Sequence, residues 1–184
     1  SPDSDPDLVY AIVKACAEYL TLPRVIVREA HPGQADGLED AAERGGGRLT
    51  RVGTSELPAE ELIFDYVIHI ASLKAEPFSG SVEQTLSLLD GDARAAQMAQ
   101  LTKTYQEKSV DLHTPLSMWT HTPWGDEVSV PLDSGEILDL EGFRTDLWIL
   151  DAPELGVVLA STDPVPMDHF AIDALQIAPG EVPW

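Results

Sequence analysis

Up to Lys108 the apolar residues of this chain recur mostly at helical spacing, and from Leu116 onward they fall into runs of a few residues separated by Pro, Gly and Asp. That switch of period constrains the fold most, because a helix buries one stripe every three to four residues whereas a short strand buries alternate residues or a brief continuous run. The expected class is α+β: a mixed N-terminal helix/strand region, a central helical pair and a C-terminal, mainly antiparallel sheet. The length of 184 residues, with 43% hydrophobic content, is enough to bury a core, and four Trp, four Tyr and four Phe separate the chain from acidic disordered tails. Residues 1–184 are read as a single composite domain with an internal division into a helix-rich α/β part, 1–110, and an acidic β-rich part, 111–184.

The N-terminal elements follow from local signals. Asp5-Pro6-Asp7 is a helix start, with Asp5 as cap and Pro6 in the first turn. Leu8, Ile12, Cys16 and Leu20 form the expected buried stripe of that helix, which ends before Pro23. Val25-Ile26-Val27, between Arg24 and Arg28, suits a strand. Leu38, Ala41 and Ala42 supply the apolar side of an acidic helix that Gly45-Gly46-Gly47 terminates before a strand at Leu49 to Val52. This order fits either a parallel βαβ crossover or an isolated α+β packing. The three glycines follow a helix and lack a Walker lysine, so they are read as a turn and not a phosphate loop.

Leu62 to Leu73 fits either period. Its β-branched and aromatic content favours a strand with Phe64, Tyr66, Ile68 and Ile70 on one face and Asp65, Val67 and His69 on the other. Ser81 and Gln84 have capping-box spacing for a helix carrying Val82, Leu86 and Leu89. Asp90-Gly91-Asp92 turns into a second helix running to about Lys108, lined by Ala93, Ala96, Leu101 and Tyr105. Strands are then expected at Leu116 to Trp119, Val128 to Leu132, Ile137 to Leu140, Leu147 to Leu150 and Gly156 to Ala160, with a closing strand or short helix near Phe170 to Ile177.

Charge narrows the function classes. Eleven basic residues stand against 32 acidic ones, for a formal net charge of -21, and after Lys108 there are fourteen acids and one base, Arg144. Such a field repels phosphate backbones and anionic membranes, so direct nucleic-acid and membrane binding are not expected; it favours cationic partners or a salty milieu. The single cysteine, Cys16, permits no intrachain disulfide and no multi-cysteine metal site, and is read as a small core hydrophobe. With no signal-peptide pattern and no apolar run of membrane-spanning length, a cytoplasmic setting is expected. The start at Ser1-Pro2 leaves room for a processed upstream segment.

The favoured functional expectation is a noncatalytic acidic interaction module, inhibitor- or immunity-like, that binds a basic protein. Trp124 would supply an apolar anchor, and Asp126, Glu127, Asp133, Glu136, Asp139 and Glu141 the surrounding field. No cofactor is required by that reading. A competing expectation is a small metal-dependent hydrolase in which His113, His121, Asp126 and His169, with Asp163 and Asp168 nearby in sequence, hold a divalent metal. A third is a structural or assembly subunit that self-associates. Ser87, Ser117 and Ser161 lack the context of a hydrolase nucleophile, and with 32 acids no catalytic carboxylate pair can be singled out.

Overall fold

Asp5 opens the first helix, its Oδ1 accepting the Asp7 N–H at 2.9 Å. The computed structural model describes residues 5–19, 26–28, 37–50, 66–86, 113–123, 126–131, 135, 137–142, 144–178 and 181–182. The chain divides into two compact units, Ser1–Leu57 and Pro58–Trp184.

In the first unit α1 (Pro6–Tyr19) buries Val9 and Val13, while Leu8, Ile12 and Cys16 are half-buried. The expected stripe is thus rotated by one residue. The cause is α2 (Leu38–Gly45), which packs on α1 so closely that a Cβ at Gly45 would lie 2.7 Å from Val13 Cγ1. Gly46, at φ +91°, closes α2, and the N–H of Gly47 reaches Ala42 O at 2.8 Å. β1 (Ile26–Arg28) pairs in parallel with β2 (Arg48–Thr50). Of the two packings the sequence allows, the parallel crossover is the one formed.

The second unit contains β3 (Ile68–Ser72), α3 (Ser81–Leu86), α4 (His113–His121), β4 (Glu127–Pro131), β5 (Ile137–Glu141), β6 (Leu147–Ala152), β7 (Val157–Ser161) and α5 (Pro164–Leu175). Its three-stranded sheet has the order β3-β6-β7, with β3 parallel and β7 antiparallel to β6. β4 and β5 form a separate antiparallel pair. The class is α+β. Leu62 to Asp65, Leu89 and the expected helix from Asp92 to Lys108 lie outside the described residues.

One expected strand is a helix: Leu116 to Trp119 falls inside α4. Pro115 sits in the first turn, where its missing N–H costs nothing, and the burial pattern is helical, with Trp119 and Thr120 buried and Met118 and His121 exposed. The segment near Phe170 is likewise resolved as helix: Asp163 caps α5 by accepting the Val165 N–H at 3.0 Å, with Pro164 next.

Trp148, Leu150 and Ala152 on β6 pack with Trp119, Val82 and Val130 in one core. Trp148 Nε1 donates to Thr85 Oγ1 at 3.2 Å, and that hydroxyl donates to Ser81 O at 2.6 Å, so the buried indole is satisfied from α3. The expected capping box does not form. Gln84 instead turns to β3, accepting the Ser72 N–H at 3.0 Å and donating to Ser72 O. The start of α3 is capped from α5: Asp168 Oδ1 and Oδ2 accept the N–H groups of Ser81 and Val82 at 2.6 and 2.8 Å.

Candidate functional site

The β4–β5 hairpin is built from two alternating sequences in register. Glu127 is paired with Glu141, Val128 with Leu140, Ser129 with Asp139, Val130 with Leu138, and Pro131 with Ile137. Val130 is buried in the core and Val128 packs against it. The alternation then directs Glu127, Ser129, Ile137 and Asp139 to solvent, and all four are exposed. Ser129 Oγ donates to Asp139 Oδ1 across the pair at 2.6 Å, fixing that carboxylate on the exposed face.

The base of the hairpin is tied to the end of α4. Asp126, also exposed, donates its N–H to Pro123 O at 3.2 Å, and its carbonyl accepts the Gly142 N–H at 2.7 Å. Gly142 is required there: a Cβ would lie 2.1 Å from Pro123 O. The neighbouring Thr145 N–H reaches Thr120 O at 2.8 Å. Asp126, Glu127 and the Glu141 backbone position thereby converge on one end of the ladder.

Among the described residues this end carries acids with no cation to match them. Directly opposed residues of an antiparallel pair have Cα atoms roughly 5 Å apart, where like charges are destabilising. Asp126, Glu127 and Asp139 have no ion-pair partner among the described residues. Arg144, the one cation after Lys108, is held by Asp146 at 3.1 Å, and Asp146 also accepts the Val67 N–H at 2.8 Å. Neutralising Glu127 as Glu127→Gln should therefore raise stability, by about 0.2–1 kcal/mol. Urea unfolding at low salt checks this; a loss of stability would show that the Glu127 charge is compensated.

Of the residues expected to bind a partner, Asp126, Glu127, Asp139 and the backbone of Glu141 belong to this hairpin region. Trp124, Asp133 and Glu136 lie outside the described residues, and the side chain of Glu141 is not described.

The metal-site candidates are placed differently. His121 is exposed at the end of α4, with Nδ1 2.7 Å from Ser117 O and 3.5 Å from Ser117 Oγ. Its Nδ1 donates to the carbonyl, so it is not a base for the hydroxyl. His169 is exposed on α5. His113 begins α4, and its side chain is not described. Asp163 and Asp168 have structural tasks as caps. Among the described residues no group of three or more His, Cys, Asp or Glu is placed to hold a metal ion. His69, on β3 beside Trp148, is held neutral because burial pushes its imidazole down to about 4. Asp65, its expected facial neighbour, is outside the described residues.

Sequence reasoning missed the Asp168 cap, which bridges 86 and 87 residues of sequence. Burial pushes this carboxyl up to about 7, against the pull of the two amide donors. No helix among the described residues is long and apolar enough to cross a membrane. Comparison of the chain with protein-family models, curated proteins and solved structures finds no match.

Proposed function

We propose that this protein is a noncatalytic interaction module that docks a basic protein on the exposed face of the β4–β5 hairpin, occupying that partner as an inhibitor or immunity-like protein would. The observation that supports this reading is the acidic ladder: Glu127 is registered opposite Glu141, with Asp126 and Asp139 exposed nearby, and among the described residues no cation pairs with Asp126, Glu127 or Asp139. A folded hairpin that keeps like charges in register forfeits stability, and a cationic partner restores it on binding. Ile137, 64% exposed and registered opposite Pro131, offers an apolar contact at the other end of the ladder. Trp124 is proposed as a second anchor. A reduced, cytoplasmic setting suits the lone Cys16.

The field accelerates encounter and holds the partner in register, so affinity should fall steeply with ionic strength. The metal-dependent alternative draws no support from a gathered ligand set among the described residues. The test uses lysozyme as a folded basic probe in titration calorimetry at low salt. Glu127→Lys with Asp139→Lys should weaken binding by about tenfold or more. Glu43→Lys with Asp173→Lys, which changes net charge equally at two other exposed acids, should weaken it much less. Equal losses from both pairs would show that net charge alone attracts the probe and would overturn the reading.

A further inference from the structure

We propose that β7 receives an extended, cationic segment of the partner as an added strand, an inference that rests on the reading of the protein as a binder of basic proteins. β7 is the outer strand of the order β3-β6-β7, and among the described residues Val157–Ser161 pair only with β6. In an antiparallel pair alternate residues turn both N–H and C=O away from the partner strand, so among the described residues the outer edge of β7 carries donors and acceptors that no strand pairs.

Proteins ordinarily blunt such an edge with Lys, Pro, an inward charge or a bulge. β7 reads Val-Val-Leu-Ala-Ser and contains none of these, and its register with β6 runs unbroken from Val157 to Ser161. Three of its five side chains are also exposed, Val157 at 40%, Val158 at 53% and Ala160, while Leu159 packs against the core. Five residues match an ordinary strand, long enough for main-chain bonds to hold a guest while alternate side chains select it.

Charge selects the occupant. After Arg144 the sequence contains no Lys or Arg, and the exposed Glu154 shortly precedes β7. A second copy would bring the same acid to the same edge, on a chain of net charge -21, and would be repelled. A strand with an alternating Val/Thr centre and basic ends is matched on both counts: its centre lies beside Val158 and Ala160, and its basic ends suit a chain of net charge -21 with no Lys or Arg after Arg144.

The probe is the peptide Lys-Arg-Val-Thr-Val-Thr-Val-Lys-Arg, with a control whose central valine is proline. Hydrogen exchange is followed on the full chain. The alternating peptide should slow alternate amides of Val157–Ser161 by about tenfold or more, and the proline peptide should not. Val158→Lys, at an exposed position, should weaken peptide binding by about tenfold while leaving the melting curve unchanged. Glu127→Lys with Asp139→Lys should leave protection of β7 intact at saturating peptide. Three outcomes overturn strand addition: equal binding of the proline peptide; protection confined to β4 and β5; or protection of β7 that grows with protein concentration without peptide. Protection confined to β4 and β5 would leave the cationic-partner reading standing, whereas failure of both peptide and lysozyme to bind would remove that reading as well.

Discussion

Asp168→Ala should lower the stability of the Pro58–Trp184 unit by about 2–5 kcal/mol at pH 5, a loss that urea unfolding would read. Two buried N–H groups, those of Ser81 and Val82, lose the carboxylate oxygens that accept them at 2.6 and 2.8 Å, and the space left by the carboxyl is closed off from water. A carboxyl is needed because it offers one oxygen to each donor, and Gly80 must stay a glycine because a Cβ there would lie 2.5 Å from Asp168 Oδ1. The loss should be felt beyond α3, since Thr85 on the same helix holds the Trp148 indole.

The same residue sets a pH dependence. Its folded value is raised from 3.8 to about 7 by burial, so between those values the folded chain keeps a proton that the unfolded chain has released. Stability from this group is therefore fully present below about pH 4 and is lost as pH rises toward 7, by up to about 1.4 kcal/mol per unit. Asp168→Asn keeps one acceptor and cannot ionise. The parent should exceed this variant in stability at pH 5, and the gap should narrow at pH 8. A gap that widens with pH would mean that the amide donors outweigh burial and that the buried group is an anion.

Gly142→Ala is the second large effect, expected to cost about 2–3 kcal/mol. The added Cβ would stand 2.1 Å from Pro123 O and 2.7 Å from Thr122 O, both backbone atoms that cannot rotate away. Relief requires the chain after α4 to move from the end of β5, which breaks the 2.7 Å bond from the Gly142 N–H to Asp126 O. Damage should concentrate in β4 and β5. Hydrogen exchange should show their amides opening faster while those of β6 change little, with weakened lysozyme binding. Uniform acceleration across β6 as well would show that the hairpin base is not a separate opening unit.

Why some of this was legible in the sequence is a matter of period and distance. Glu127–Pro131, Ile137–Glu141 and Val157–Ser161 alternate or run apolar between Gly, Pro and Asp, so their strand character follows from local residues. Alternation also groups Glu127 with Ser129, and Asp139 with Glu141. The opposition of Glu127 to Glu141 depends on register, which the intervening loop sets. In α1 the pairs Leu8-Val9 and Ile12-Val13 offer two adjacent apolar stripes, and only the packing of Gly45 on Val13 selects between them. In α4 the four residues Leu116 to Trp119 are too few to declare a period. Gln84 carries the spacing of a cap but bonds to Ser72, because Asp168 already occupies the amides of α3. That carboxyl arrives from a helix 86 residues away, and no local pattern announces it.

The most direct measurement is a backbone amide chemical-shift map of the labelled chain titrated with lysozyme at low salt. The earliest and largest changes should fall at Asp126, Glu127, Ser129 and Asp139, and should vanish as salt is raised. Changes spread evenly over the exposed acids of both units, with Glu43 and Asp173 moving as much as Glu127, would contradict the hairpin as the docking face.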